Sequence, residues 1–315
     1  MPLLKKENRT SQSFREGRKN FMSYSKLKIW LMAIRPKTLS ASIAPVVIGT
    51  GMAYGDGICH FPTAAVCLIT AIFIQVGTNL ANDYFDFKKG ADTQERIGPT
   101  RVTQAGLISQ QAIKASIFLT FTLAALSSLY LINRGGWPLA IIAGLAILSG
   151  LLYTAGPCPL GYIGLGDLFV FIFFGIVAVA GTYYVQSFEL NMAVVLAGIA
   201  PGLISMAILT VNNLRDIDTD RQHGKKTLAV RFGRSFAQTE YLLAVISAGL
   251  TPLLIYLFIK DHPNILLCPL VLLGAIPGIK TVLTKTDGPS LNAALAFSGQ
   301  MLLVYSVLFA IGWIL

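Results

Sequence analysis

Apolar residues in this chain collect into nine long runs that are almost free of charge, at roughly 29–55, 61–87, 112–133, 137–155, 165–187, 191–213, 237–259, 264–284 and 292–315. Each holds about 18 residues or more, enough for a helix to cross a hydrocarbon layer of roughly 30 Å. Turn-forming clusters separate them, among them Gly55-Asp56-Gly57, Asn133-Arg134-Gly135-Gly136, Asp261-His262-Pro263-Asn264 and Asp287-Gly288-Pro289. The pattern predicts an all-α fold, a multi-pass membrane bundle of nine transmembrane helices whose sequential neighbours run antiparallel.

Composition narrows the class. Of 315 residues, 54% are hydrophobic and 13% charged, far more apolar surface than one soluble core needs, which excludes an ordinary soluble globule. The first 26 residues are different: polar, and basic through Lys5, Lys6, Arg9, Arg15, Arg18, Lys19 and Lys26. They lack the apolar core and small-residue cleavage site of a signal peptide. Residues 1–26 are therefore expected to be a disordered basic tail, and 27–315 a single transmembrane domain. Cys59, Cys67, Cys158 and Cys268 form no CxxC pair, and His60, His223 and His262 show no metal-ligand spacing, so zinc and thiol redox chemistry are not expected.

Charge orients the bundle. With nine crossings, the N-terminus and the loops after the second, fourth, sixth and eighth helices share one side. All but Arg134 and Lys260 of the 25 Lys and Arg residues fall there, and the positive-inside rule makes that side cytoplasmic. A cell (plasma) membrane location is expected. The same asymmetry explains much of the net charge of +10. Membrane lipid headgroups are partners enough for it, and nucleic acid is not an expected partner.

Acidic residues are scarce yet gather at 83–95 and 216–220, both on that side. Asn79, Asp83 and Asp86 stand at i, i+4 and i+7, and Asn212, Asp216 and Asp220 at i, i+4 and i+8, each set on one helix face, with Asp218 pointing nearly the opposite way. The two asparagines carry each face inward, where an unpartnered polar side chain is costly. Four converging carboxylates need cations between them, and ligands that are all oxygen select Mg2+. Because Mg2+ is commonly shared between carboxylates and substrate phosphates, a diphosphate is the natural third party. Bases for its remaining charge adjoin both clusters: Lys88, Lys89, Arg96 and Arg101 after the first, and Arg215, Lys225, Lys226 and Arg231 around the second. Arg215, beside Asp216, and Lys226 with Thr227 are the better phosphate-binding candidates.

At these residues the sequence resembles the UbiA superfamily of intramembrane aromatic prenyltransferases, over essentially the whole chain after the tail. In that family two Asp-rich motifs lie at the cytoplasmic ends of the second and sixth of nine helices, as Asn79-Leu-Ala-Asn-Asp83-Tyr-Phe-Asp86 and Asn212-Asn-Leu-Arg-Asp216-Ile-Asp-Thr-Asp220 do here. Within it the chain is most similar to the 1,4-dihydroxy-2-naphthoate polyprenyltransferases of menaquinone synthesis. The stretches Arg35-Pro36-Lys37-Thr38-Leu39, Lys89-Gly90-Ala91-Asp92, Tyr153-Thr154-Ala155-Gly156-Pro157 and Leu160-Gly161-Tyr162-Ile163-Gly164-Leu165-Gly166-Asp167 carry that likeness. So do Gly224-Lys225-Lys226-Thr227-Leu228-Ala229 and the short Asp-x-x-Asp spacing of the first motif, where other branches have Asp-x-x-x-Asp.

The resemblance implies a central cavity open at the cytoplasmic side. There Asp83, Asp86, Asp216 and Asp220, with Asn79 and Asn212, would hold two Mg2+ ions against the diphosphate of a polyprenyl diphosphate. As the diphosphate departs, an allylic cation is attacked by a ring carbon of a small aromatic acid. With 1,4-dihydroxy-2-naphthoate, CO2 leaves and demethylmenaquinone forms. Tyr153 would stand near the cation, Arg35 and Lys37 near the acceptor carboxylate or the diphosphate, and Asp92 would take the phenolic proton. Another acceptor, such as 4-hydroxybenzoate, stays open. So does a secondary transporter, which would need ionisable residues at mid-membrane or paired broken helices. Gly175, Gly181, Gly198 and Gly202 read as close-packing positions.

Overall fold

Where the first apolar run meets Arg35-Pro36, the helix breaks. The computed structural model, which describes residues 24–91 and 98–315, has helix α1 at Lys26–Ile34, a left-handed Arg35 (φ 57°), a 3-10 turn at Pro36–Thr38, and helix α2 at Ser40–Gly55. The two helices are bent by 52°. One straight span over 29–55 is thus corrected to a bent pair. A residue before proline is pushed out of the α region, and proline has no N–H to carry the ladder through.

The other runs form helices where the pattern puts them: α3 at Phe61–Lys88, α4 at Gln110–Gly135, α5 at Trp137–Leu152, α6 at Gly166–Ser187, α7 at Met192–Arg215, α10 at Arg234–Ile259, α11 at Pro263–Thr284 and α12 at Gly288–Ile314. Two short helices, α8 at Ile217–Gln222 and α9 at Leu228–Phe232, lie between α7 and α10. Among the described residues seven helices are long and apolar enough to cross a bilayer, the α1–α2 pair makes an eighth candidate, and α5 is shorter at 16 residues. This is a multi-pass membrane protein.

The largest buried cluster joins α2, α7, α10, α11 and α12 around Ile48, Ile204, Tyr241, Leu302 and Phe309. Helices α6 and α7 come into backbone contact at glycines. A Cβ on Gly175 would fall 2.7 Å from Gly202 Cα, and one on Gly198 would fall 2.6 Å from Ile176 Cα. Gly175, Gly198 and Gly202 therefore do allow close backbone approach, whereas Gly181 faces open space.

Polar contacts sort the connections to two ends. At one end, Asp56 accepts from Tyr183 and Trp313, the His60 N–H bonds the Gln186 side chain, and Arg134 bonds the Val185 carbonyl. At the other end the connections after α3, α5 and α7 interlock: Lys89 donates to the Thr154 carbonyl (2.8 Å), the Lys226 N–H to the Tyr162 carbonyl (2.7 Å), and Arg231 to the Ile163 carbonyl (2.8 Å). Gly164 (φ 80°) makes this possible, because a side chain there would meet the Lys226 carbonyl at 2.9 Å.

Candidate active site

The interlocked end holds a polar cavity of about 180 Å3 between α3 and α7, with walls from Arg35 and Thr38 on one side and Tyr153 and Tyr162 on the other. Its acidic residues come from both motifs. Asp86, fully buried, accepts hydrogen bonds from Tyr162 Oη (2.8 Å), Asn82 Nδ2 (3.1 Å) and Lys225 Nζ (3.2 Å), and lies 3.6 Å from Arg101 Nη2. Lys225 also lies 3.5 Å from Asp220 Oδ1. One ammonium group thus bridges the end of α3 to the far side of α7, and the two acidic ends meet.

Asp216 is held otherwise. Its carboxylate takes a two-point contact from Arg215 (2.8 and 2.6 Å), and the same guanidinium donates to Asn212 Oδ1 (2.8 Å) and Asn292 Oδ1 (2.6 Å). Arg215 is thereby fixed by three partners as a rigid fork. The helix is interrupted at Asp216 itself, and α8 restarts at Ile217, yet the Asp220 N–H still bonds the Asp216 carbonyl (2.8 Å). Asp218 is exposed and pairs with Arg221 (3.7 Å), as its place on the helix predicts.

The spacing put Asn79, Asp83 and Asp86 together on one inward face; the structure brings Asn79 and Asp86 to the cavity and turns Asp83 away from it. Asp83 is buried but does not line the cavity; its two oxygens accept the N–H groups of Val102 (3.2 Å) and Thr103 (3.1 Å). Asn82, unassigned from the sequence, lines the cavity beside Asp86 and accepts from Arg35 (3.0 Å). Asn79 also lines it, with its amide N–H groups spent on the Ile34 carbonyl (2.8 Å) and Thr38 Oγ1 (3.0 Å). The clamp at Asp83 matters because Val102 packs with Ala33, Leu80, Tyr84 and Ile113. Together they deliver the neighbouring Arg101 into the cavity.

Of the other expected residues, Arg35, Arg101, Tyr153, Asn212 and Asp220 line the cavity. Lys37 and Lys226 are exposed and do not; Lys225, one position away from Lys226, does. A turn rather than a helix carries this pair, so neighbouring side chains diverge and no periodicity could choose between them. Asp92 and Arg96 lie outside the described residues. Tyr162, which the sequence reading left without a role, lines the cavity, and Lys89 and Lys225, named there only as neighbouring bases, sit 4.6 and 4.9 Å from its ring centre. Burial draws the Lys89 ammonium below the ordinary lysine range; the Asp86 carboxylate opposes this and Lys225 reinforces it.

Thr78, Tyr153, Val170 and Phe174 also line a second cavity of about 170 Å3, walled mostly by apolar side chains of α2, α3, α5 and α6. A charged chamber and an apolar chamber thus share one wall, suited to a ligand with a charged head and a hydrocarbon tail.

Among the described residues no three acidic, histidine or cysteine side chains are gathered into a closed metal cage. The oxygen donors of Asp86, Asp216, Asp220 and Asn82 nonetheless suit Mg2+ bound jointly with a ligand phosphate, which needs only one or two carboxylates from the protein. Lys225 and Arg215 neutralise these acids in the structure.

A helical membrane bundle with paired acidic helix ends over an apolar chamber has the build of an intramembrane transferase for amphipathic substrates. The chain belongs to the UbiA prenyltransferase family, which residues 42–314 match. It is 37% identical over 301 residues to the 1,4-dihydroxy-2-naphthoate octaprenyltransferase of Escherichia coli (strain K12), covering 91% of this chain and 96% of that one. It is 42% identical over 220 residues to the enzyme of the same name from Haemophilus influenzae, covering 67% and 71%. Its fold is similar to that of a UbiA homolog from Archaeoglobus fulgidus bound to GPP and Mg2+, with a TM-score of 0.67 at 16% identity, over 91% of this chain and 99% of that one.

Proposed function

We propose that this membrane enzyme transfers a polyprenyl chain from polyprenyl diphosphate to 1,4-dihydroxy-2-naphthoate, with loss of CO2 and diphosphate, giving the quinol form of demethylmenaquinone. Family membership supports prenyl transfer, and the names of the Escherichia coli and Haemophilus influenzae relatives support the naphthoate acceptor. The single observation that carries the reading is Lys225, within 3.2 Å of Asp86 and 3.5 Å of Asp220: it supports one shared diphosphate site between the two motifs.

In this reading Asp86, Asp216 and Asp220, with Asn82, Asn79 and Asn212, hold the donor's diphosphate through two Mg2+ ions. Bound there, Mg2+ supplies Lewis acidity that makes the diphosphate a better leaving group. Lys225, Arg101, Arg35 and Arg215 balance the charge of diphosphate and acids. Asp83 acts behind them by holding residues 102 and 103. The prenyl tail enters the apolar chamber past Tyr153, whose ring faces the developing allylic cation. Walls of apolar side chains keep water from that cation. Asp92 and Arg96 enter this reading only through the family resemblance.

The same reading has nine crossings, with the α1–α2 pair and α5 each spanning, in one domain over 27–315 behind a basic tail. The mouth of the polar cavity faces the cytoplasm and the membrane is the plasma membrane, supported by the Lys and Arg that crowd that end. Protein purified in detergent with Mg2+, a polyprenyl diphosphate and a panel of aromatic acids tests the activity. Mass analysis is expected to find a decarboxylated prenyl-naphthoquinol; a product from 4-hydroxybenzoate alone would refute the acceptor, and no product from any acid would refute prenyl transfer.

A further inference from the structure

Two polar side chains lie deep in the cavity and take no part in holding the charged head. Gln75 on α3 and Ser205 on α7 both line it, at 8% and 3% exposure, and Gln75 Oε1 and Ser205 Oγ have no hydrogen-bond partner among the described residues. Each stands 11 residues before the motif aspartate of its helix, Asp86 and Asp216. Eleven residues are just over three turns, so each shares its aspartate's face, roughly 16 Å deeper along the helix. A buried oxygen without a partner is expensive, and native proteins keep few of them.

The local network decides what Gln75 can accept. Thr38 donates its hydroxyl hydrogen to the Arg35 carbonyl (2.9 Å), so its oxygen can only accept, and it does so from Asn79 Nδ2 (3.0 Å) and Gln75 Nε2 (3.4 Å). The Gln75 amide is thereby turned with its NH2 toward Thr38, which leaves Oε1 as an acceptor seeking a donor. A prenyl chain has no donor to give, and an ionised diphosphate has none either. A hydroxyl-bearing aromatic ring has one.

We infer that the floor of the polar cavity, between Gln75 and Ser205, is the acceptor subsite, where Gln75 Oε1 accepts a ring hydroxyl of the aromatic acid. This rests on the prenyltransferase reading above and adds to it the acceptor's position and orientation. The hydroxyl points down to Gln75. The acceptor's carboxylate, which cannot donate, is turned up toward Arg35 on the same wall. Because Thr78, Tyr153, Val170 and Phe174 open to the apolar chamber, the tail leaves on their side, and the ring lies against the opposite wall of Ala41, Ile208 and Leu295.

The test compares the wild type with Gln75→Met and Ser205→Ala in detergent with Mg2+ and a polyprenyl diphosphate, using 1,4-dihydroxy-2-naphthoate and its analogue lacking the 4-hydroxyl. Gln75→Met is expected to raise the acceptor KM about tenfold and leave the donor KM within about twofold, the loss of one buried hydrogen bond. Ser205→Ala is expected to raise the acceptor KM about threefold. The wild type is expected to prefer the dihydroxy acid about tenfold, a preference that Gln75→Met erases. Calorimetric binding of the acid without donor gives the same ratios independently of turnover. An unchanged acceptor KM and affinity in both variants, or equal rises in the two KM values, would overturn the subsite. Turnover of another hydroxy-aromatic acid in place of naphthoate would overturn the named acceptor only, since Gln75 is then tested with that acid. Neither binding nor turnover of any hydroxy-aromatic acid by the wild type would overturn both.

Discussion

At the end of α3 the two aspartates part company: Asp83 faces backward and grips the N–H groups of Val102 and Thr103, while Asp86 faces the cavity amid Asn82, Tyr162, Arg101 and Lys225. At the end of α7, Asp216 and Asp220 both face the cavity, and a base from their own segment holds each one, Arg215 and Lys225. The α3 end thus borrows its countercharges from elsewhere in the chain, and the α7 end carries its own. The lesson is that two similar acidic motifs need not be equivalent. One contributes a ligand and a scaffold clamp, the other a ligand pair with its positive partners attached.

Breaking the shared element should have the largest effect. Asp86→Asn and Asp216→Asn are each expected to lower turnover about a thousandfold in protein that still inserts, with a lowered Tm because each change leaves a buried base without its carboxylate, and EDTA should abolish wild-type activity until Mg2+ is restored. Near-normal turnover in either variant would separate the two ends. Next, Lys225→Met is expected to cost about a hundredfold and Lys226→Met less than about twofold, measured as kcat/KM for the diphosphate. Equal losses would mean that the choice between the neighbours is wrong.

Asp83→Asn sharpens the contrast within α3. It presents an amide NH2 to two backbone N–H groups and is expected to cost roughly 1–3 kcal/mol of stability, read as a lower Tm. With Arg101 less firmly placed, turnover should fall about tenfold, but the Mg2+ concentration for half-maximal rate should stay at the wild-type value. A raised Mg2+ requirement would make Asp83 a metal ligand after all. Smallest of all, Asp218→Asn should change kcat/KM by less than about twofold, because its only ion pair among the described residues is the exposed one with Arg221.

Much of this could be read before any coordinates. The apolar runs located the helices, and charge scarcity made the acidic clusters conspicuous. The helical period put Asp216 and Asp220 on one face and Asp218 on another. At 79–86 the helical period put Asn79, Asp83 and Asp86 on one face and gave Asn82 no part, although Asn82-x-x-x-Asp86 repeats the Asn79-x-x-x-Asp83 pattern three residues on. Asn79, Asn82 and Asp86 all line the cavity, and only the packing of Val102 and the 102–103 backbone against Asp83 turns that one side chain away.

Hydropathy is a local property, written residue by residue, so the order of amino acids was enough for the helices, the multi-pass build and the gathering of acids at two helix ends. Which side chain meets which depends on chain segments far apart in sequence. Lys225 reaches Asp86 across 139 positions, Tyr162 reaches it across 76, and Gln75 is turned by a threonine on another helix's approach. A hydrogen bond acts over about 3 Å, a distance that only the folded arrangement of the helices can set.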